Sequence, residues 1–353
     1  YRAGVPLKDM EFVQYHPTGL PGTGILITEA ARGEGGYVKN ADGERFLVTR
    51  DYGVGTKAEL GPRDMISRAI IQEIEAGRGV KGPYGEHVHL DLTHLGEAHI
   101  DAALPMVREL STIYAGVDPV HAPIPIRPVL HYMMGGVDVD IDGATSLPGL
   151  FAAGEAACVS LNGANRLGSN SLTECLVFGA RTGESALRFA RGSSDGDAGG
   201  LLQQAEEEGA RVAALRGRRG SEKLSQLRTE MQKTMERGCG VYREAGTMND
   251  TVREIARLQQ RSRDLAVSDA SRVFNTELVA ALELANMLDV AEAICVSAAH
   301  RNESRGAHTR RDAPRRDDQN FLYHTLCSHG ADGPRLGRKP VALGRWVPEE
   351  RKY

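Results

Sequence analysis

A change of periodicity near residue 200 is the feature that most constrains the fold of this chain. Before it, glycine and proline are frequent, and short β-branched runs alternate with brief helical patterns, which indicates mixed α and β structure. After it, apolar residues recur every three or four positions, which indicates helices. The segment Gly192–Gly200 contains only Gly, Ser, Asp and Ala, so we predict a linker or loop between the two parts.

Three apolar stripes with helical spacing follow this segment. They consist of Leu224, Leu227, Met231 and Met235, then Met248, Val252, Ile255 and Leu258, then Leu278, Ala281, Leu282 and Ala285. Such stripes pack against one another, so we expect a small helical bundle from about residue 200 to residue 303. We interpret the stripes as core rather than as a ligand site. From Ser304 to Tyr353, charge and proline increase, and we expect an extended, partly strand-like cover.

Charge and apolar content exclude several classes of protein. The 353 residues carry 43 Lys+Arg against 47 Asp+Glu, with no basic run interleaved with aromatic residues, which argues against nucleic-acid binding as the main function. The longest apolar stretches, such as Phe274–Cys295, are interrupted by acidic residues. None approaches the ~20 uninterrupted apolar residues of a membrane span, so we expect a soluble or peripheral protein.

Cysteine and histidine spacing supports neither a disulfide framework nor a metal site. The five cysteines are far apart and form no C-x-x-C pair, which fits a reducing compartment. We interpret Cys158 and Cys175 as small buried apolar residues without a redox role. His87 and His89 alternate on a strand-like run, but no third zinc ligand accompanies them, and we expect no metal.

Five short polar segments contain the residues best suited to chemistry. They are Gln14–Gly19, Thr28–Gly36, Gly61–Asp64, His131–Gly136 and Asn162–Leu172. Arg166 lies between Gly163 and Gly168, and small neighbours let a ligand approach the backbone closely. A guanidinium binds a planar carboxylate with two hydrogen bonds, and His16 and His131 would hold the other end of a small diacid. The alternative is a structural Arg166 that binds loop carbonyls.

A second ligand-contact region is predicted at residues 147–155. Leu147–Ala153 is predicted to form a short buried strand that ends in Gly154 and Glu155, and α/β proteins place ligand contacts at the carboxyl ends of strands. Glu155 would accept a hydrogen bond from a ribose hydroxyl. A helical pattern begins at Ser171, and its first amides would point toward an electron-rich ligand.

Five segments in a fixed order carry a family resemblance. They are Met10–Gly19, Thr28–Glu29 with Arg32–Gly36, Gly61–Asp64, His131–Gly136 and Gly163–Leu172. Together they resemble the flavoprotein subunit of fumarate reductase and succinate dehydrogenase. The resemblance covers essentially the whole chain, because it continues through Met235–Arg243, Val273–Leu278, Glu303–His308 and Arg316–Asp318. The later segments look nearer the quinol-linked fumarate reductase branch.

The resemblance implies a reaction and a set of site residues. In that family a hydride moves between flavin N5 and a C4 dicarboxylate, and an arginine donates or accepts the proton. The match gives this role to Arg63, with Glu29 and Arg32 as the relay that resupplies or removes the proton. The remaining implied residues are His16, Thr28, His131 and Arg166 for substrate binding, and Glu155, Ser171 and Leu172 for contacts with FAD.

The resemblance also implies partners, a location and a domain order. The partners would be an iron–sulfur subunit, membrane anchor subunits and the quinone pool, with the protein peripheral on the cytoplasmic face of the inner membrane. The implied fold is α+β, with a capping domain and the remainder of a Rossmann-like FAD-binding domain, then a three-helix bundle and a short carboxyl-terminal domain. Its segments are 1–10 (end of the first FAD-binding segment), 11–127 (capping, dicarboxylate domain), 128–192 (second FAD-binding segment), 193–303 (helical bundle) and 304–353 (carboxyl-terminal domain).

The sequence departs from the family pattern in one large respect. Family members carry, before the position of Tyr1, a flavin-binding half with a Gly-rich phosphate loop and usually a His bonded to the flavin. No G-x-G-x-x-G follows a predicted strand here, so we expect the chain to correspond to the carboxyl-terminal three-fifths of the subunit. A smaller departure is Asn162, where many relatives have His.

Two other functions stay open on the sequence alone. One is a non-catalytic fragment that binds a dicarboxylate weakly. The other is a related flavoprotein such as L-aspartate oxidase, whose site must accommodate an amino group. Thr28, His131 and the long carboxyl-terminal match disfavour the oxidase, and turnover of succinate compared with L-aspartate separates the two.

Overall fold

Two compact units divide the chain. The computed structural model describes residues 1–193, 196, 198–345 and 348–349. The large unit combines Tyr1–Phe12 with Met133–Val341, and the small unit contains Val13–Tyr132. The predicted linker and the predicted carboxyl-terminal domain therefore lie partly outside the described residues. The finer division into five segments stays a prediction.

Nine strands and eleven α-helices are formed by the described residues. The strands are β1 (Leu7–Lys8), β2 (Val13–Gly19), β3 (Tyr37–Lys39), β4 (Val88–Asp91), β5 (Ile124–Met133), β6 (Gly136–Asp138), β7 (Ala157–Cys158), β8 (Tyr323–Ser328) and β9 (Arg335–Pro340). The helices are α1 (Ala30–Gly33), α2 (Phe46–Thr49), α3 (Arg63–Glu73), α4 (Glu97–Ala103), α5 (Pro105–Ala115), α6 (Asn170–Gly192), α7 (Ala198–Leu215), α8 (Leu224–Cys239), α9 (Ala245–Ser262), α10 (Thr276–His300) and α11 (Asp318–Phe321). The predicted mixture of α and β structure is confirmed.

The small unit is built on a four-stranded sheet with the order β2-β5-β4-β3. β4 pairs antiparallel with both neighbours, and Leu90 stands opposite Ile124. α3 packs on β2, and its Ile66 and Ile70 are fully buried in the same core as these strand residues. Because this packing fixes α3, it also fixes Arg63, the first residue of the helix.

The large unit contains a five-stranded sheet with the order β7-β6-β1-β8-β9. β6 and β7 are parallel and the other pairs are antiparallel. β1 has only two residues, yet it joins both halves of the sheet, because Leu7 stands opposite Val137 on one side and Cys327 on the other. The strand-like character expected after residue 304 is confirmed by the hairpin β8–β9.

The three helices predicted from the apolar stripes are present as α8, α9 and α10. They pack against one another, and α10 also packs against β8. Leu227 of α8 and Ile255 of α9 are fully buried, as the spacing predicts. α10 is buried on more than one side, with Leu284 and Leu288 in the core, because it lies against both helices and the sheet.

Two local predictions are wrong. Leu147–Ala153 is a turn region with an isolated bridge at Phe151 rather than a buried strand, and Leu147 and Leu150 are exposed. The physical reason is Gly149, whose φ of 86° is incompatible with a strand. Cys175 is exposed rather than buried, because Gly154, which lies beside its sulfur, has no side chain that could cover it.

Within the part of the chain that the structure describes, no helix combines the length and the apolar character that crossing a membrane requires.

Candidate functional site

Arg63 is the centre of a charged cluster in the small unit. Pro62 ends the preceding segment with extended backbone, so α3 begins at Arg63. Its Nε and Nη2 lie 3.0 and 2.9 Å from Glu29 Oε2. Its Nη1 lies 3.2 Å from His131 Nε2 and 3.5 Å from Gln14 Oε1. The guanidinium is thus held in one plane by a carboxylate on one edge and two neutral acceptors on another.

Arg32 is a second guanidinium on the same carboxylate. Its Nη2 lies 3.7 Å from Glu29 Oε2, and its Nη1 donates to the backbone oxygen of Glu59. The Arg32 side chain is fully buried, whereas 46% of the Glu29 side chain is exposed. Burial lowers the pKa of Arg32; Glu29 opposes this effect and Arg63 adds to it. Glu29 therefore contacts both guanidinium groups, the buried one of Arg32 and that of Arg63, and is itself accessible to solvent.

Two histidines stand beside Arg63 in the small unit. A guanidinium only donates hydrogen bonds, so His131 Nε2 accepts from Arg63 and its ring proton is assigned to Nδ1. His16 is fully buried and meets His131 edge-to-face, with ring centroids 5.0 Å apart. Thr18 lies against His16, with Oγ1 3.1 Å from His16 Nδ1. Thr28 is exposed, and its Oγ1 accepts a long hydrogen bond of 3.4 Å from the Ala30 amide.

β2 brings three polar side chains of this cluster to one face of the sheet. Gln14, His16 and Thr18 occupy alternate positions of the strand, and successive side chains of a strand point to opposite faces. We did not assign Gln14 and Thr18 to the site from the sequence. The alternation of polar residues at positions 14, 16 and 18 was the available signal, and the proline at position 17 obscured it.

Arg166 lies in the large unit, in the loop that precedes α6. The loop bends repeatedly, with left-handed backbone at Gly163 and Ser169. Arg166 is almost fully buried, and its Nη1 donates to Ser171 Oγ at 3.1 Å. Because Ser171 belongs to the first turn of α6, the helix orients the guanidinium. This contact between Arg166 and the start of the helix was not predicted from the sequence.

A carboxyl-terminal segment braces the Arg166 loop, which the sequence analysis did not anticipate. The Ala307 amide donates to the Ala164 carbonyl oxygen at 2.9 Å. Gly306 is required beside it, because a Cβ at this position would lie 2.4 Å from the same oxygen. The available signal was the motif Glu303–His308, which we used only for the family resemblance.

His308 anchors this brace in the interior of the large unit. Its Nδ1 lies 2.7 Å from Arg243 Nη1, and its Nε2 lies 3.1 Å from the Arg301 carbonyl oxygen. Arginine donates, so Nδ1 accepts and Nε2 carries the proton. Burial lowers the pKa of His308 well below its usual value, and Arg243 lowers it further.

Three residues predicted to contact a flavin lie in the large unit. Glu155 Oε1 accepts a hydrogen bond of 3.0 Å from the Met133 amide, which fixes the carboxylate. Ser171 and Leu172 form the first turn of α6, and Leu172 is 70% exposed. In contrast, among the described residues no group of three or more His, Cys, Asp or Glu side chains could hold a metal ion.

α6 has an open face that continues from Leu172. Leu176 is 76% exposed, and Gly179 and Gly183 follow on the same side at helical spacing. Apart from the helix's own backbone, no described atom lies within 4 Å of a Cβ added at either glycine. The face is therefore apolar near the start of the helix and unusually flat along its middle.

Comparison with known proteins places these residues in a family. Residues 1–172 match the model of the FAD binding domain, and residues 228–353 match the model of the fumarate reductase flavoprotein C-terminus. The fumarate reductase flavoprotein subunit of Mycobacterium tuberculosis is 54% identical over 365 residues, which cover 100% of this chain and 63% of the relative. The chain belongs to the fumarate reductase and succinate dehydrogenase flavoprotein family.

Other members of the family agree. The fumarate reductase flavoprotein subunit of Escherichia coli is 47% identical, covering 99% of this chain and 60% of the relative. A solved E. coli quinol fumarate reductase matches with a TM-score of 0.94 at 46% identity, covering 99% of this chain and 62% of that one. A Mycobacterium smegmatis Sdh1 complex matches with a TM-score of 0.79 at 34% identity, covering 97% and 56%. The family and fold predictions are confirmed, and the chain spans about three-fifths of these relatives.

Proposed function

We propose that this chain supplies the dicarboxylate chemistry of a flavin-dependent enzyme that interconverts fumarate and succinate. The observation that carries the proposal is Arg63, held by Glu29 and His131 with Arg32 on the same carboxylate. The motifs that contain these residues are those of the flavoprotein family, and the contacts among them are suited to moving a proton.

Arg63 is proposed to donate a proton to fumarate and to accept one from succinate. Arginine normally titrates above a pH of about 12, so it can act only if its proton is replaced at once. Glu29 contacts two nitrogens of Arg63 and is half-exposed, so it connects the guanidinium to water. The buried guanidinium of Arg32 lies 3.7 Å from the same Glu29 oxygen, so both arginines contact one carboxylate.

Substrate binding is assigned to His16, Thr28, His131 and Arg166. A C4 dicarboxylate needs donors for two carboxylates, and holding both ends twists the molecule and polarises its double bond. In the small unit, His131 contacts Arg63 directly, and the exposed Thr28 immediately precedes Glu29 in the chain. Arg166 belongs to the large unit, and its part in the proposal rests on the motif that surrounds it and on its guanidinium chemistry.

The described residues fit one side of a flavin site. Glu155 is fixed by a backbone amide, the first turn of α6 offers amides at Ser171, and Leu172 exposes apolar surface suited to a planar ring. We propose that these three residues contact FAD. When bound, FAD supplies the hydride that is exchanged with the dicarboxylate. The chain's own part is to bind and orient the substrate and to move the proton at Arg63.

Partners and location are proposed from the family. Solved structures that match this chain include a quinol-fumarate reductase with menaquinol molecules and a succinate dehydrogenase complex. We propose that the chain likewise exchanges electrons with an iron–sulfur subunit and the quinone pool. Membrane anchor subunits would then hold it on the cytoplasmic face of the inner membrane.

The flavin absorbance of the purified protein tests the enzyme proposal. Two proteins would be purified. One is this chain alone, and the other is a subunit with the same length as the relatives, called the full-length subunit below. We expect the full-length subunit to show a flavin band that succinate bleaches and L-aspartate does not. Bleaching by L-aspartate would favour the oxidase, and a flavin band that neither compound changes would contradict the proposal.

A further inference from the structure

The backbone of Glu59 holds one member of the charged cluster in place. Glu59 belongs to the segment Gly55–Leu60, which leads to Arg63, and its backbone oxygen accepts a hydrogen bond from Arg32 Nη1. Among the described residues, Nε and Nη2 of Arg32 form no hydrogen bond, although Nη2 lies 3.7 Å from Glu29 Oε2. The Glu59 carbonyl oxygen is therefore the one hydrogen-bond acceptor that these residues offer to the buried guanidinium.

The side chain of Glu59 is buried and firmly held. Its two carboxylate oxygens accept hydrogen bonds from Arg45 Nε and Nη2 at 2.6 and 2.7 Å, and Oε1 also accepts from the Val38 amide at 3.3 Å. The guanidinium carbon of Arg45 lies 4.1 Å from the centre of the Tyr37 ring. Since Tyr37 and Val38 both belong to β3, the carboxylate is attached to the sheet directly and through Arg45.

Backbone strain coincides with this attachment. Ala58 has a φ of 45° and a ψ of −119°, a conformation that residues with a side chain rarely adopt. Its carbonyl oxygen accepts a hydrogen bond of 3.0 Å from the Gly61 amide, which turns the chain toward Arg63. A strained conformation persists only where the surrounding contacts impose it. The attachment of Glu59 to β3 is such a contact, one position further along the chain.

We propose that Glu59 is a positioning residue of the proton relay, an inference that rests on the function proposed above. Its carboxylate fixes the backbone oxygen that holds Arg32, and Arg32 in turn attracts the half-exposed carboxylate of Glu29. Without this support, Arg63 alone would hold Glu29, whose carboxylate could then turn toward solvent. Proton transfer requires a short contact between Glu29 and Arg63, so a displaced Glu29 slows turnover.

The charge of Glu59 acts in the same direction as its hydrogen bonds. Burial lowers the pKa of Arg32, and the carboxylates of Glu29 and Glu59 oppose this effect. Removal of Glu59 would therefore make the charged form of Arg32 less favourable, and a neutral Arg32 attracts Glu29 less strongly. Both effects disturb the relay and leave the residues proposed to bind the substrate unchanged.

Glu59→Ala in the full-length subunit tests this role, with Glu73→Ala as the matched control. Glu73 is also a buried carboxylate of the small unit that binds two nitrogens of one arginine, Arg78, at 2.8 and 2.7 Å. None of its described hydrogen bonds or ion pairs reaches the relay. For succinate oxidation with a soluble dye, Glu59→Ala should lower kcat at least about tenfold and change the succinate Kd less than about threefold. Glu73→Ala should lower the melting temperature as much but keep kcat within about twofold of the wild type.

Two further measurements distinguish a disturbed relay from general damage. The ratio of kcat in H₂O to kcat in D₂O should rise in Glu59→Ala, because slower proton transfer limits turnover more, and should keep its wild-type value in Glu73→Ala. The second measurement is the modification of Arg32 by phenylglyoxal, located by mass spectrometry in this chain without flavin. Arg32 is fully buried, so it should be protected in the wild type and in Glu73→Ala and should react in Glu59→Ala.

Several outcomes would overturn the role of Glu59. They are a kcat of Glu59→Ala within about threefold of the wild type, an equal loss of kcat in Glu73→Ala, an unchanged isotope ratio, and equal modification of Arg32 in the two variants. If Glu59→Ala does not retain flavin, Glu59→Gln, which keeps the shape of the side chain, takes its place and should still lower kcat at least about threefold. A wild-type subunit that holds flavin but does not oxidise succinate would instead overturn the enzyme proposal, and the role of Glu59 with it.

Discussion

A single oxygen of Glu29 contacts two guanidinium groups, and the proton transfer proposed for Arg63 depends on this shared carboxylate. Arg63 makes two short contacts with Oε2, and Arg32 approaches the same atom from the interior. The motifs predicted Glu29, Arg32 and Arg63 together. The sequence did not predict that Gln14 and Thr18 complete their surroundings, because their positions depend on which face of β2 is turned toward α3.

Arg63→Lys tests the proposed proton donor. A lysine keeps the charge but loses the planar set of donors that Glu29, His131 and Gln14 hold, so the relay is broken. We expect turnover in the full-length subunit to fall by about 10²–10⁴-fold, the usual contribution of a general acid or base, while dicarboxylate affinity is largely kept. Succinate oxidation and a ligand titration of the flavin spectrum measure the two effects. Turnover within tenfold of the wild type would remove Arg63 from this role.

Arg166→Ala separates binding from proton transfer. Removing this guanidinium would leave one carboxylate of the substrate without its partner, which weakens dicarboxylate binding by about 2–5 kcal/mol. The dissociation constant of the full-length subunit for succinate, measured by titration, reports the change. A constant unchanged by the substitution would support the structural alternative, in which Arg166 only holds its loop through Ser171.

His308 predicts a pH dependence of stability. Its folded pKa is well below the unfolded value of about 6.5, so the unfolded state binds more protons in that range. The stability it contributes is complete above pH 6.5 and is lost as pH falls through the folded pKa, by up to about 1.4 kcal/mol per pH unit. The pKa values of His87, His89 and His300 are also lowered and act in the same direction. Urea unfolding of wild type and His308→Gln between pH 7.5 and 5.5 measures the difference in slope, and equal slopes would contradict the assignment.

Elements were predicted best where local periodicity determined them. The stripes of α8 and α9 face their core as expected, because a helix that buries one face leaves a regular spacing in the sequence. Leu147–Ala153 failed for the opposite reason, since apolar composition resembled a strand while Gly149 required a turn. The open face of α6 consists of residue types that are usually buried. The sequence could not show that the described residues leave this face uncovered.

Gly179 of α6 offers two tests, one in this chain and one in the full-length subunit. In this chain, Gly179→Ala should raise the free energy of unfolding by about 0.5–1 kcal/mol, because alanine favours helix and meets no described neighbour. In the full-length subunit, Gly179→Leu should lower the flavin content, because we expect another segment to pack closely on this face. Chemical unfolding and the ratio of flavin to protein absorbance measure the two. Full flavin content in the leucine variant would show that the face stays open.

The limits of the two compact units do not coincide with the boundary that the sequence pattern indicated most strongly. The periodicity changes near residue 200, yet α6 and the helices after it belong to one unit, whereas the unit boundaries lie near residues 12 and 132. Local patterns could not reveal this, because the large unit is closed by contacts between residues that are distant in the chain. Glu11 is an example, since it is fully buried and its side chain contacts Arg301 and Thr325, which are 290 and 314 positions away in the chain.

Glu11→Ala tests how strongly these distant contacts hold the large unit. Glu11 Oε1 accepts from Arg301 Nε and Thr325 Oγ1, both at 2.6 Å. Its removal leaves a buried guanidinium with one carboxylate fewer, although Glu303 still binds Arg301, so we expect a loss of about 2–4 kcal/mol of unfolding free energy. Urea unfolding followed by circular dichroism measures it. Glu11→Gln, which keeps an acceptor, is the matched control and should lose less, and a loss below 1 kcal/mol in the alanine variant would contradict the role.

The position of β1 between β6 and β8 has a consequence for the synthesis of the protein on the ribosome. Leu7 can meet Val137 early, but its other neighbour, Cys327, is translated some 320 residues after it. At roughly 5–20 residues per second, one edge of β1 waits about 16–64 s for its partner. An unpaired strand edge is a template for wrong pairing, so this nascent chain requires shielding until its last hundred residues emerge.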